Sequence, residues 1–148
     1  MTKILLVEDD DNLRELVSAR LEKNGYAVAT AHDGYLAVSM ARSFVPDLVI
    51  LDLMIPRMDG YTVCRLLRAS GLVDLPVIIF SARSGPDDIR RGIDMGANAF
   101  VSKPFEPEVL LAKIEELLAA KTAKEQAAAA GAPPPSPPPP PPAAKVSV

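Results

Sequence analysis

The fold of this chain is decided by one short apolar run, Leu48-Val49-Ile50-Leu51, which is followed directly by Asp52. Four consecutive branched aliphatic residues without polar alternation are typical of a strand buried on both faces, as in a parallel sheet covered by helices on each side. A carboxylate that follows such a strand lies at the carboxyl edge of the sheet, where open α/β sheets bind their ligands.

Four further segments predict strands of the same sheet: residues 4–7, 26–30, 77–80 and 99–101. Amphipathic stretches that predict helices lie between them. Five strand–helix pairs with short connections, in about 120 residues, predict an α/β fold with one doubly wound, five-stranded parallel sheet, right-handed crossovers and helices on both faces.

Local signals mark where these helices begin and end. Asn12 is expected to open the first helix, with Glu15 three residues later at capping-box spacing, and Gly25 to end it. Asp59 is expected to cap the third helix, and Pro107 to lie in the first turn of the last one.

Composition divides the chain near residue 121. Nine of its 15 prolines fall between Pro133 and Pro142, and residues 119–130 favour helix but offer little apolar surface. We therefore expect a globular domain over residues 1–121 and an Ala/Pro-rich tail over residues 122–148, helical at first and then polyproline II or disordered. The tail is interpreted as a spacer or tether, with a docking segment for an aromatic-lined groove as the alternative.

Charge and cysteine content exclude several classes of function. Residues 1–118 carry 13 basic and 18 acidic side chains, which disfavours direct nucleic-acid binding because phosphate contacts need a basic face. The single cysteine, Cys64, excludes an internal disulfide and a cysteine-based zinc site, and is expected to be a core residue. No apolar run approaches the ~18 residues of a membrane span and no signal peptide is recognisable, so we expect a cytoplasmic protein without membrane association.

Polar residues follow four of the predicted strands at the same sheet edge: Glu8 and Asp9, Asp52, Ser81, and Lys103. Clustered carboxylates repel one another, and a hard divalent cation such as Mg²⁺ relieves that repulsion. A lysine and a hydroxyl on the other side would bind a dianionic phosphoryl group. Asp52, central in the sheet, is the best-placed nucleophile for forming an aspartyl phosphate.

Four motifs carry these residues: Val7-Glu8-Asp9-Asp10, LDLMIPRMDG at residues 51–60, Ser81-Ala82 and Lys103-Pro104-Phe105. By their order and spacing, residues 3 to about 119 resemble the receiver domain of a two-component response regulator. The resemblance implies a bacterial, stand-alone phosphorelay protein with a flavodoxin-like fold and strand order 2-1-3-4-5.

The resemblance also implies roles for individual residues. Asp52 is expected to accept the phosphoryl group, with Ser81 and Lys103 binding its oxygens. The expected Mg²⁺ ligands are Glu8, Asp9, Asp52 and the backbone carbonyl of Met54.

A conformational switch is expected from Ser81 and Phe100, although Phe100 is open to a second interpretation as an ordinary sheet aromatic. Met54 and Arg83 are expected to set the lifetime of the phosphoryl group, and the Lys103–Pro104 peptide bond is expected to be cis.

The expected donor is a sensor histidine kinase or a phosphotransfer protein, and the expected output is contact between the face formed by helix 4, strand 5 and helix 5 and a downstream protein effector. Ile89, Asn98 and Ala99 stand where dimerising, DNA-binding members often carry charge. We therefore expect a monomer or a weak phosphorylation-dependent dimer, with no direct nucleic-acid partner.

The same residues are also compared with the requirements of a phosphatase and of a pseudo-receiver. A haloacid-dehalogenase-type phosphatase needs an acid two residues after its nucleophile, where this chain has Met54, so we expect no enzymatic turnover beyond the domain's own phosphorylation and dephosphorylation. The remaining alternative is a pseudo-receiver that works as a binding or localisation module without phosphorylation. His32, in a predicted loop, is not expected to be a phosphohistidine.

Overall fold

The computed structural model describes residues 1–129, which form five strands and five helices that alternate along the chain. Their bounds are β1 (Lys3–Val7), α1 (Asp11–Lys23), β2 (Ala27–Ala31), α2 (Gly34–Ser43), β3 (Leu48–Leu51), α3 (Gly60–Ala69), β4 (Val77–Ser81), α4 (Pro86–Asp94), β5 (Ala99–Ser102) and α5 (Pro107–Ala129).

All the strands pair in parallel, in the order β2-β1-β3-β4-β5. This confirms the predicted doubly wound α/β fold. In register, Val7 of β1 lies beside Leu51 of β3, so the residues that follow these two strands emerge next to each other. The chain reverses its direction of winding between β1 and β3, and in such sheets the crevice at this point is where ligands bind.

Two apolar clusters cover the two faces of the sheet. One includes Val49 and Leu51 with residues of α2 and α3, and the other includes Leu48 and Ile50 with residues of α1 and α5. Successive residues of β3 therefore serve opposite faces, as the uninterrupted apolar run predicts. Cys64 is buried in the first cluster, as expected.

The predicted helix ends need one correction. The cap of α1 is Asp10, whose carboxylate accepts a hydrogen bond from the Leu13 N–H at 3.0 Å, and not Asn12. Asp59 caps α3 as predicted, accepting from the Thr62 N–H at 2.9 Å. Gly25 has a φ of 90° just past α1, which fits its predicted role as a stop, and Gly96 has a φ of 107° at the corresponding position after α4.

Helix α5 continues beyond residue 121 to Ala129, and Lys124 on this extension pairs with Asp74 in the α3–β4 connection at 2.5 Å. The proline tract of the predicted tail lies outside the described residues. Across residues 1–129, no helix combines the length and the apolar character that crossing a bilayer requires.

Candidate functional site

Three carboxylates meet at the carboxyl edge of the sheet, beyond β1 and β3. Glu8 and Asp52 are buried, with 2% and 4% of their surface exposed, whereas Asp9 is exposed. One oxygen of each lies within 4.8 Å of the others. The β1–β3 register produces this approach, because Val7 and Leu51 are partners and the acids directly follow them.

Lys103, which follows β5, reaches into this cluster. Its Nζ lies 2.7 Å from Glu8 Oε1 and 2.9 Å from Asp52 Oδ2. The ammonium also lies 5.5 Å from the centre of the Phe80 ring, and the Lys103–Pro104 peptide bond is cis. One cation therefore pairs with two buried carboxylates. Together with the carboxylate of Asp9, this leaves the pocket with an excess of negative charge.

Burial and proximity change how these groups titrate. Burial, with a further contribution from Asp52, raises the pKa of Glu8 from 4.5 to about 7. Burial also acts to raise the pKa of Asp52, but hydrogen bonds with Glu8, Lys103 and the Met54 N–H outweigh it and lower that pKa below 3.8. The Lys103 ammonium is more than half buried, which acts to lower its pKa, but its hydrogen bonds and charge interactions with Glu8 and Asp52 raise that pKa above 10.5. Asp52 is thus held as the anion of the pair and Lys103 as a cation.

The donor set fits a small hard cation. All three side chains offer oxygen, one of them stands on the solvent side, and burial, with a smaller contribution from Asp52, raises the pKa of Glu8. Mg²⁺ binds through few carboxylates while keeping several waters, so a pocket of this kind suits it better than a closed cage would.

The loop after β3 fixes the position of Asp52. The Met54 N–H donates to Asp52 Oδ1 at 3.1 Å, and the Gly60 N–H donates to the Leu53 carbonyl at 3.0 Å. A Cβ on residue 60 would lie 2.5 Å from the Asp52 carbonyl oxygen, so only glycine lets the start of α3 come this close. The Met54 side chain is exposed at the edge of the site, while its carbonyl as a metal ligand remains a prediction.

The structure places the expected switch residues on neighbouring strands. Ser81 is fully buried at the end of β4, and its Oγ accepts a hydrogen bond from the Arg83 N–H at 3.2 Å. Phe100 on β5 is also buried and belongs to the core cluster that α3 and α4 cover. Their switching roles are not tested by this single arrangement and remain predictions.

Arg83 lies at the edge of the site, but its guanidinium bonds to Asp88 on α4, at 3.1 Å. Asp88 also accepts from the Tyr61 hydroxyl and from the Gly85 N–H. Sequence reasoning did not identify Tyr61 or Asp88. A helix-capping pattern at Gly85 and Asp88 was readable, but nothing along the sequence pairs Tyr61 with a residue 27 positions later.

Two other predicted residues lie outside the carboxylate cluster. His32 Nε2 is 3.7 Å from Asp33 Oδ2, beside the carboxylate that caps α2. Asn98, on the proposed output face, is used internally: its Oδ1 accepts from the Val77 N–H and from Arg68, both at 2.9 Å.

Comparison with known proteins shows which family has this arrangement of residues. The sequence profile of the response regulator receiver domain matches residues 4–115. Response regulator MprA of Mycobacterium avium (strain 104) and that of Mycobacterium tuberculosis (strain H37Rv) are each 45% identical over 116 residues, which are 78% of this chain and 50% of theirs. The chain thus spans about half the length of the curated relatives it matches.

Solved structures agree with the sequence comparison. The chemotaxis protein CheY4 of Vibrio cholerae superposes with a TM-score of 0.75 at 31% identity, covering 79% of this chain and 98% of that one. The non-phosphorylated HemR receiver domain of Leptospira biflexa superposes with a TM-score of 0.74 at 34% identity, covering 80% and 94%. This chain therefore belongs to the receiver domain family of two-component response regulators.

Proposed function

We propose that Asp52 accepts a phosphoryl group in a Mg²⁺-dependent reaction, and that the modified domain signals by protein contact. The observation that carries this proposal is the position of Lys103 Nζ, 2.9 Å from Asp52 Oδ2, in a pocket that also holds Glu8 and Asp9. An ionised carboxylate, an ammonium and an oxygen-rich cation site within a few ångströms are the groups that phosphoryl transfer requires.

In the proposed reaction, an Asp52 oxygen attacks the phosphorus of the donor. An O–P bond forms as the bond to the donor breaks, and the donor histidine or carboxylate leaves with the electron pair. The lowered pKa of Asp52 keeps the nucleophile ionised at neutral pH. Lys103 moves from the carboxylate to an oxygen of the incoming group, and Ser81 Oγ is available on the neighbouring strand to bind another. When bound by Glu8, Asp9, Asp52 and the Met54 carbonyl, Mg²⁺ would offset negative charge on the phosphoryl oxygens.

Hydrolysis restores the starting state. The oxygen of a water molecule bonds to phosphorus, the bond to Asp52 breaks, and inorganic phosphate leaves. Met54 and Arg83 follow Asp52 and Ser81 by two residues, so we assign them control of the phosphoryl lifetime by limiting or ordering that water. The domain then changes only its own state and is not an enzyme acting on other substrates.

The proposed donor is a sensor histidine kinase or a phosphotransfer protein of a bacterial cytoplasm. Coupling of Ser81 and Phe100 to phosphorylation would change the face of α4, β5 and α5, which a downstream protein would read. Asn98 is committed to internal hydrogen bonds and Ala99 is buried, so neither position supplies the charge that dimerising members often carry there. We propose a monomer or a weak phosphorylation-dependent dimer.

The test is the intact mass after incubation with acetyl phosphate and Mg²⁺. We expect a gain of one phosphoryl group that Asp52→Asn abolishes. Asp94→Asn, the same change at an exposed position at the end of α4, is the matched control and should keep the gain. An unmodified mass with acetyl phosphate and with a panel of kinases would favour the pseudo-receiver instead.

A further inference from the structure

In the β4–α4 connection beside the site, Arg83 interacts with two side chains to which the proposed function gives no role, Asp88 and Tyr61. Arg83 Nη2 lies 3.1 Å from Asp88 Oδ1, and the Tyr61 hydroxyl lies 3.3 Å from the same oxygen and 3.2 Å from the Asp88 carbonyl oxygen. The other carboxylate oxygen of Asp88 accepts from the Gly85 N–H at 3.3 Å. Both oxygens of Asp88 are therefore held in place by the surrounding structure.

The group is anchored on the core side. Tyr61 belongs to the buried core cluster, and the Arg91 guanidinium lies 4.4 Å from the centre of its ring. The Asp88 side chain is 23% exposed and the Arg83 side chain 57% exposed, so exposure increases from the buried tyrosine towards the arginine. A carboxylate held by several hydrogen bonds thus faces a guanidinium that is more than half exposed.

The same arginine is tied to the site through its backbone. Its N–H donates to Ser81 Oγ at 3.2 Å, and Ser81 is the hydroxyl assigned to a phosphoryl oxygen. Arg83 is therefore linked to Asp88 through its guanidinium and to Ser81, the residue next to the proposed phosphoryl position, through its backbone. A phosphoryl group carries about −1.5 to −2 charges and three strong acceptor oxygens, which makes it a competitor for a guanidinium.

We propose that Asp88, oriented by Tyr61, is a positioning residue that holds the Arg83 guanidinium on α4 and so shortens the lifetime of the phosphoryl group. This inference rests on the proposed function of Asp52. While Arg83 is paired with Asp88, it leaves the phosphorus open to water. When the pair is broken, Arg83 binds the phosphoryl oxygens and shields them from attack.

The experiment measures the decay of the phosphoryl adduct by intact mass after removal of acetyl phosphate. Asp88→Asn removes the charge that holds Arg83 but keeps one oxygen to accept from the Gly85 N–H, while its amide NH2 can donate to the Tyr61 hydroxyl oxygen. We expect the lifetime to lengthen about two- to fivefold, the range that a half-exposed ion pair supports. Tyr61→Phe, which loosens Asp88 while leaving both charges, should lengthen it less.

Two comparisons separate positioning from a structural effect. Asp87→Asn removes the same charge from the first turn of α4, at a side chain that is 99% exposed and is paired only loosely, with Arg90 at 3.9 Å, so it should leave the lifetime unchanged. In an Arg83→Ala background, Asp88→Asn should have no effect, because the group it acts through is gone.

The inference is overturned if Asp88→Asn leaves the lifetime unchanged or shortens it, if Asp87→Asn acts equally, or if the effect survives in Arg83→Ala. In each of these cases the adduct still forms, and the proposed function stands. If the unaltered chain gains no adduct at all, the proposed function fails and this inference fails with it.

Discussion

Glu8 is expected to be destabilising in the metal-free protein, and its replacement should reveal by how much. Glu8 is buried against Asp52, and its pKa rises from 4.5 to about 7. Each unit of pKa difference corresponds to about 1.4 kcal/mol, so ionised Glu8 costs up to about 3 kcal/mol of folding free energy above pH 7. Glu8→Gln keeps the shape of the protonated acid and an oxygen for Lys103 without this cost, losing only the 3.2 Å bond from the Asp9 N–H, and should stabilise the metal-free chain by about 1–3 kcal/mol at pH 8.

The pH dependence of the free energy of unfolding shows in which direction Glu8 affects stability. Between pH 4.5 and 7, Glu8 holds its proton in the folded chain but releases it in the unfolded one, so the folded state binds more protons. The free energy of unfolding of the unaltered chain should therefore fall as the pH rises through this window, and level off above about 7. The gain from Glu8→Gln should be absent near pH 4.5 and complete at pH 8.

Urea unfolding in EDTA at pH 5 and pH 8 measures this difference. Glu15→Gln, which removes a charge from an exposed position on α1, is the control and should change the free energy of unfolding little at either pH. Adding Mg²⁺ at pH 8 should reduce the advantage of Glu8→Gln, because the unaltered site binds the ion better. A Glu8→Gln chain that is less stable than the unaltered one at pH 8 in EDTA, or a difference independent of pH, would refute the reasoning.

Three further predictions concern stability. Asp59→Ala removes the α3 cap and should cost about 1 kcal/mol in urea unfolding, whereas Asp94→Ala should cost less; equal costs would contradict the cap. Gly60→Ala places a Cβ 2.5 Å from the Asp52 carbonyl oxygen and should cost about 1–3 kcal/mol, while Gly85→Ala, with its nearest neighbour at 3.4 Å, should cost less. A chain ending at Lys121 loses the exposed Lys124–Asp74 pair and should unfold within about 1 kcal/mol of the full chain; failure to fold would place the domain boundary later.

The sheet was predictable because each strand signal is local. The run from Leu48 to Leu51 has no polar residue and is bounded by aspartates, so β3 has the predicted bounds. The N-cap of α1 could not be predicted from the sequence, because Asp10, Asp11 and Asn12 are consecutive and all are good N-caps. Only the backbone angles of the folded chain select Asp10.

The candidate site likewise has contacts that the sequence predicts and contacts that it does not. Acids at the ends of β1 and β3 were expected to meet, since parallel strands end at one edge. The direct bond between Lys103 and Glu8 was not expected, because β5 lies three strands away from β1 and a lysine must extend across β4 and β3 to reach it. The contacts of Asp88 with Tyr61 and Arg83 depend on side-chain directions that no spacing encodes.

The most direct measurement of the central claim is the position of the phosphoryl group itself. The phosphorylated chain is reduced with borohydride, which converts an aspartyl phosphate to homoserine, and the altered residue is mapped by peptide mass spectrometry with and without EDTA during phosphorylation. The account predicts homoserine at residue 52, and its loss when EDTA is present. Homoserine at residue 9 or 59 instead, or at residue 52 regardless of EDTA, would contradict it.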